Sequence, residues 1–134
     1  MAWEQESLLA LRALIAAILG ALVGWQRQHW GQEAGIRTFA AVALGACVFA
    51  LIGPAGDTRV AAQIASGIGF LGAGVIIRGR AHVHGLTTAA SLWATASIGA
   101  EIAYQHYLMG TAVTIFLVVL LATPTKKREP NKSL

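Results

Sequence analysis

The chain has 134 residues, 56% hydrophobic and 12% charged, with a mean hydropathy of +0.62 and a formal net charge of +4. A soluble domain averages about 25% charged residues, and a short chain keeps much of its surface exposed, so the deficit points to lipid rather than water around most of this one. A lone cysteine, Cys47, excludes an intrachain disulfide and a thiolate metal cluster, and reads as a small buried apolar residue.

In chain order, MAWEQES lacks a basic n-region and a small-residue cleavage site, so no removable signal peptide is expected. The first apolar segment is about Ser7–Trp25; it holds one charge, Arg12, and a small-xxx-small pair, Gly20 and Gly24. A polar turn, Gln26 to Glu33, contains Arg27, His29 and Gly31. The second segment, about Thr38–Gly53, ends at the turn signal Pro54-Ala55-Gly56-Asp57. Asp57 is placed to cap the third segment, about Thr58–Ile77, which carries Arg59 and Gln63 in its first turns. A basic loop, Arg78–Gly85, leads to a fourth segment from Thr87 to about Ala103. Tyr104 to Tyr107 form a short break, with tyrosines suited to a membrane interface. The fifth segment, about Leu108–Thr123, stops at Pro124.

The expected fold is therefore all-α: a polytopic membrane helix bundle of about five transmembrane helices over residues 1–124, with a basic cytoplasmic tail of disordered composition over 125–134. Lys and Arg favour cytoplasmic loops. Arg27 and Arg37, Arg78 and Arg80, and the tail residues Lys126, Lys127, Arg128 and Lys132 fall on one side of five crossings. Glu4, Glu6, Asp57, Arg59 and Glu101 fall on the other. This puts the N-terminus outside and the C-terminus in the cytoplasm.

The segments on either side of the basic loop are dense in Gly, Ala, Ser and Thr, which let helix backbones approach closely. Gly67-Ile68-Gly69-Phe70-Leu71-Gly72 spells GxGxxG. The dinucleotide reading of that motif needs a preceding strand in a βαβ unit, and none is indicated here. The small-residue set Gly67, Gly69, Gly72 and Gly74, with Ala65 and Ala73, reads instead as helix-packing surface. It places the third helix at the bundle centre and makes a homodimer an expectation. The fourth helix offers Ala89, Ala90, Ser91, Ala94 and Ser97 as the matching face, with Trp93 packed in the bundle. The other tryptophans, Trp3, Trp25 and Trp30, fall at segment ends, as in an aromatic belt.

Three motifs carry a resemblance: AGIRT at Ala34–Thr38, AAQIASGIGFLGAGVI at Ala61–Ile76, and GLTTAASLWATASIG at Gly85–Gly99. With Arg12 and the small-residue end of helix one, they resemble the MgtC/SapB (YhiD) family of bacterial inner-membrane proteins from about Leu8 to Leu121. The resemblance implies a small multi-helix membrane protein linked to magnesium limitation and, in some members, to survival inside host cells. Its virulence branch is described as regulatory, binding other membrane proteins that include the membrane sector of the F-type ATP synthase. No enzymatic chemistry is implied. Many members carry a soluble C-terminal domain, which a chain ending at Leu134 is expected to lack. That branch prefers Asn where Thr87 stands and Cys where Ala94 stands, and the family's Glu-Arg after helix one is Gln26-Arg27 here.

Candidate functional residues are Arg12, Arg37, Thr38, Asp57, Arg59, Gln63, Thr87 and Glu101. Arg12, inside a span, has two readings: pairing with Glu101 or Asp57 around an outer cavity, or snorkelling to headgroups. Asp57, Arg59 and Gln63 have two readings, a divalent-cation site, since magnesium prefers oxygen ligands, or one hydrogen-bonded cap; a single carboxylate at a turn reads first as an N-cap. His82 and His84, with His29 on the same face, alternate as metal ligands do, yet with no acid between them they read as a solvated basic loop. Arg37, Arg78 and Arg80 read as topology determinants at the lipid headgroups. No triad or catalytic carboxylate pair is found, so the chain reads as a non-enzyme without cofactor, resident metal or nucleic-acid partner. The leading function is a membrane regulator or interaction protein; the alternative is a small cation (Mg²⁺) transporter or channel. Mid-span polar residues such as Ser66, Ser91, Thr95 and Ser97 offer hydroxyls rather than carboxylates, which favours the former.

Overall fold

The structure is a computed structural model, described over residues 2–78 and 83–124. It has five helices: α1 (Ala2–His29), α2 (Ile36–Ile52), α3 (Thr58–Val75), α4 (Leu86–Ala103) and α5 (Tyr107–Ala122). The loop after α3 departs from an all-helical reading by one small feature. Strands β1 (Ile77–Arg78) and β2 (Val83–His84) pair antiparallel, with Ile77 opposite His84. Arg80, His82 and the tail lysines and arginine lie outside the described residues.

Local chemistry sets the helix ends. Asp57 caps α3, its carboxylate accepting the Arg59 backbone N–H at 2.9 Å. Helix α4 closes in a Schellman turn: Gln105 takes a left-handed φ of 66°, its N–H reaches the Ile102 carbonyl at 3.1 Å, and the His106 N–H reaches the Glu101 carbonyl at 2.9 Å. This is the break expected at Tyr104 to Tyr107. Helix α1 runs one turn further than its apolar run, because Gln26 and Arg27 are drawn into the bundle rather than left in a turn.

The centre of the bundle is α4. It packs against all four other helices, and ten of its residues, among them Ser91, Leu92, Thr95, Ile98 and Ile102, are buried. This corrects the expectation that α3 is central. Only Ile68 and Gly72 of α3 are buried, and α3 meets α4 through Gly72 against Ala89 and Ile68 against Ala96. The places where a Cβ would stand on Gly67, Gly69 and Gly74 have no neighbouring atom within 4 Å. Trp93 is likewise 57% exposed rather than packed inside, and Ala90 is exposed.

Glycine does bring backbones together elsewhere. A Cβ on Gly20 would lie 2.7 Å from the Ala43 Cβ, one on Gly24 would lie 2.7 Å from the Ile36 Cα, and one on Gly99 would strike the Ala43 carbonyl oxygen. Helix α2 is therefore pressed against α1 on one side and α4 on the other. Phe39, Ala43 and Cys47 on α2 are fully buried between them. The outside is apolar: Leu108 is 86% exposed, Phe70 83% and Phe116 67%.

Two glycine substitutions should therefore move stability in opposite directions. Gly99→Ala overpacks against the α2 backbone and should destabilise by about 1–3 kcal/mol. Gly74→Ala meets open space and gains helix propensity, so it should be neutral or stabilise by up to about 1 kcal/mol. Thermal unfolding in detergent reads both signs.

Candidate functional site

The bundle has an upper end, where α2 turns into α3 and α4 into α5, and a lower end, where α1 turns into α2 and α3 into α4. At the upper end Arg12, Asp57, Thr58, Tyr104 and His106 line a cavity of about 600 Å³. Ala50 and Ala103 also line the cavity, and both belong to a buried apolar cluster with Ala16, Cys47 and Ile102.

Arg12 is half-buried, and the structure does not bring it to either acid. Glu101 Oε2 lies 2.7 Å from His106 Nδ1, which is the donor to an ionised carboxylate. Asp57 Oδ1 accepts from Arg59 Nε at 3.2 Å and from the Arg59 N–H. The expected ion pair is thus absent because nearer partners hold both carboxylates. Arg12 Nη1 donates instead to the Ala103 carbonyl, a long bond at 3.4 Å. A helix leaves its last four carbonyls without intrahelical partners. In α4 Ala100 O receives the Tyr104 N–H, Glu101 O that of His106, Ile102 O that of Gln105, and Ala103 O the guanidinium. The cation also sits at the negative end of the α4 dipole.

The trio Asp57, Arg59 and Gln63 does not converge. Asp57 borders the upper cavity, whereas Arg59 and Gln63 line a second, apolar cleft between α2 and α3. That cleft has a volume of about 790 Å³, Ala96 of α4 on its floor, and Thr38, Gly45 and Gly67 among its walls. Among the described residues no three His, Cys, Asp or Glu side chains come together. Arg37, Thr38 and Thr87 are exposed at the lower end.

Sequence reasoning missed the lower-end interior. Arg27 is only 6% exposed, and its Nη2 donates to Thr88 Oγ1 at 3.0 Å. Gln26 Nε2 donates to the Val118 carbonyl of α5 at 2.8 Å. Arg27 Nε and Gln26 Oε1 are buried without a hydrogen-bond partner. The signal was present: Ala16, Gly20, Val23, Gly24 and Arg27 continue one helical face, which breaking the helix at Trp25 concealed. The buried hydroxyls bond their own helices. Ser91 donates to Thr88 O at 2.8 Å, Thr95 to Ser91 O at 2.7 Å, and Thr114 to Gly110 O at 2.8 Å.

A double-mutant cycle should find Arg12→Ala and Glu101→Ala additive within about 0.3–0.5 kcal/mol, because they share no partner. Coupling beyond that range would restore the ion pair.

Comparison with known proteins places these features in a wider set. The model of the MgtC family matches residues 13–129. The chain is 48% identical over 112 residues to "Protein MgtC" of Salmonella typhimurium strain LT2, covering 81% of this chain and 48% of that protein. It is 39% identical over 133 residues to "Protein SrpB" of Synechococcus elongatus, covering 85% of this chain and 73% of that protein. To "Protein MgtC" of Brucella abortus strain 2308 it is 39% identical over 127 residues, 91% of this chain and 53% of the relative. The chain thus spans about half the length of the Salmonella and Brucella relatives. No solved structure matches it significantly.

Proposed function

The chain belongs to the MgtC family, and from that premise we propose that it is a multi-pass protein of the bacterial inner membrane that serves magnesium homeostasis by binding other membrane proteins. Support for the membrane setting is physical. Helix α1 is long and apolar enough to cross a bilayer, at about 42 Å for its 28 residues. Helices α2 and α5 are shorter apolar helices, whose ends would sit at the headgroups of a hydrocarbon layer about 30 Å thick. In the proposed topology the lower end, with Arg27, Arg37 and Arg78, faces the cytoplasm, and the upper end, with Glu4, Glu6, Asp57 and Glu101, faces out.

The observation that carries the interaction reading is the α2/α3 cleft together with the uncovered glycines of α3. The bundle leaves a groove of about 790 Å³, lined in part by Gly67, along a helix whose Gly69 and Gly74 also meet no other element. A partner helix rich in small residues fits such relief. Proposed occupants are a second copy of this chain and other membrane proteins, the membrane sector of the F-type ATP synthase among them. The role is one of binding, not catalysis.

A cation transporter remains the second reading, favoured by the polar upper cavity around Arg12 and Asp57. The buried apolar cluster that adjoins this cavity at Ala50 and Ala103, and the self-bonded hydroxyls of Ser91, Thr95 and Thr114, argue against an ion path.

Proteoliposomes holding the purified protein should show no Mg²⁺ flux above protein-free vesicles; robust flux would make transport the function. A photo-crosslinking amino acid placed at Gly67, which lines the cleft, should give protein adducts of discrete mass in native membranes, whereas at Leu120 it should label lipid. Lipid labelling at both would sink the docking role of α3. Reporters fused to the two ends should lie on opposite sides of the membrane, with the one after Leu134 in the cytoplasm.

A further inference from the structure

The two ends of α4 are finished in opposite ways. Its C-terminal carbonyls are all met, but its N-terminus is left open. Gly85 is the N-cap, held at φ +84°, and offers no side chain to the first turn. The first bond into the helix is the Ala89 N–H to the Gly85 carbonyl at 2.8 Å. Among the described residues, no acceptor meets the N–H groups of Leu86, Thr87 and Thr88. Such an end carries about half a positive charge and is a ready anion site.

Onto this end the fold places a second positive charge. Arg27 comes from the last turn of α1, is 94% buried by its 6% exposure, and reaches Thr88, the third residue of α4. Its Nε has no partner, and no acidic side chain among the described residues is bonded to it. A buried cation against the positive end of a dipole is an unfavourable arrangement unless an anion lies between them. Arg12 shows the contrast, since it meets the negative end of the same helix.

We propose that the N-terminus of α4 and Arg27 together form a binding site for a phosphate-bearing anion, either the headgroup of an anionic phospholipid or free phosphate. The first-turn N–H groups take phosphate oxygens, the Arg27 guanidinium supplies the adjacent positive charge, and Thr88 Oγ1 holds it in register. Exposed Leu86 and Thr87 mark the mouth of the site. The inference is independent of the regulatory role proposed above, because it concerns a ligand and not a partner protein.

The test is ligand binding by the purified full chain in detergent, stripped of lipid and followed by thermal shift and calorimetry. The probes are dioctanoyl phosphatidylglycerol, inorganic phosphate and, as an acyl control, dioctanoylglycerol. The expected result is saturable binding of phosphatidylglycerol, phosphate or both, above the response to dioctanoylglycerol. Binding of the lipid alone assigns the headgroup as the source, and binding of both assigns the phosphate group itself. Arg27→Gln should weaken that binding about tenfold or more, as expected for loss of one charge-assisted contact. Thr88→Val, which keeps the shape and removes the hydroxyl that orients Arg27, should weaken it less, and provides the reading if Arg27→Gln does not fold. Arg37→Gln, an exposed arginine at the same end, should leave it unchanged. No response beyond dioctanoylglycerol, or equal binding by wild type, Arg27→Gln and Thr88→Val, would overturn the proposal.

Discussion

Everything in this fold depends on how closely the backbone of α2 lies against its two neighbours. Gly20 and Gly24 of α1 and Gly99 of α4 each leave no room for a Cβ against α2. At such approach distances the gain comes from dispersion between close-packed atoms. That kind of cohesion does not need water, and a bundle whose exterior carries exposed Leu108, Phe70 and Phe116 cannot rely on water to drive its helices together. With α1, α2 and α4 locked in this way, α5 and α3 are additions to the rim. The α2/α3 cleft exists because α3 leans on α4 and barely touches α2.

The same arrangement gives α4 its polar chemistry. Helix α1 runs alongside it and delivers an arginine to each end. Arg12 arrives at the C-terminus, where a cation completes the set of satisfied carbonyls. Arg27 arrives at the N-terminus, where a cation adds to a positive dipole and keeps an unused donor. Between them the buried Ser91 and Thr95 spend their hydroxyls on their own helix. Among the described residues, the two arginines that α1 brings against α4 thus sit at its opposite ends, with self-bonded hydroxyls between them.

The helical plan was legible in the sequence because it rests on local signals. Pro54 to Asp57 marked one turn, the Tyr104 to Tyr107 break marked another, and five apolar runs marked the helices. What could not be read was which small residues would be used. Gly67, Gly69, Gly72 and Gly74 look like a packing surface on spacing alone, yet only Gly72 meets another helix. Gly20, Gly24 and Gly99 are sparser, and they make the close contacts. Spacing reports that a face is smooth; which smooth face is covered depends on the other helices. The Arg12 and Glu101 pairing failed for a related reason. Depth along a span brought them to the same level, but His106, five residues from Glu101, was nearer. Arg27 was hidden by ending the helix where hydropathy fell, although the helical face ran on to it.

The central claim is that α4, not the glycine-rich α3, is the hub. Amide hydrogen exchange of the detergent-solubilised protein, resolved by residue, tests it most directly, because protection follows burial within the cooperative core. The account predicts that amides of α4 from Thr95 to Ile102 exchange last, together with those of α2 around Ala43 and Cys47, and that α3 exchanges well before them. Slowest exchange in α3 around Gly69 would place that helix at the centre and contradict the account.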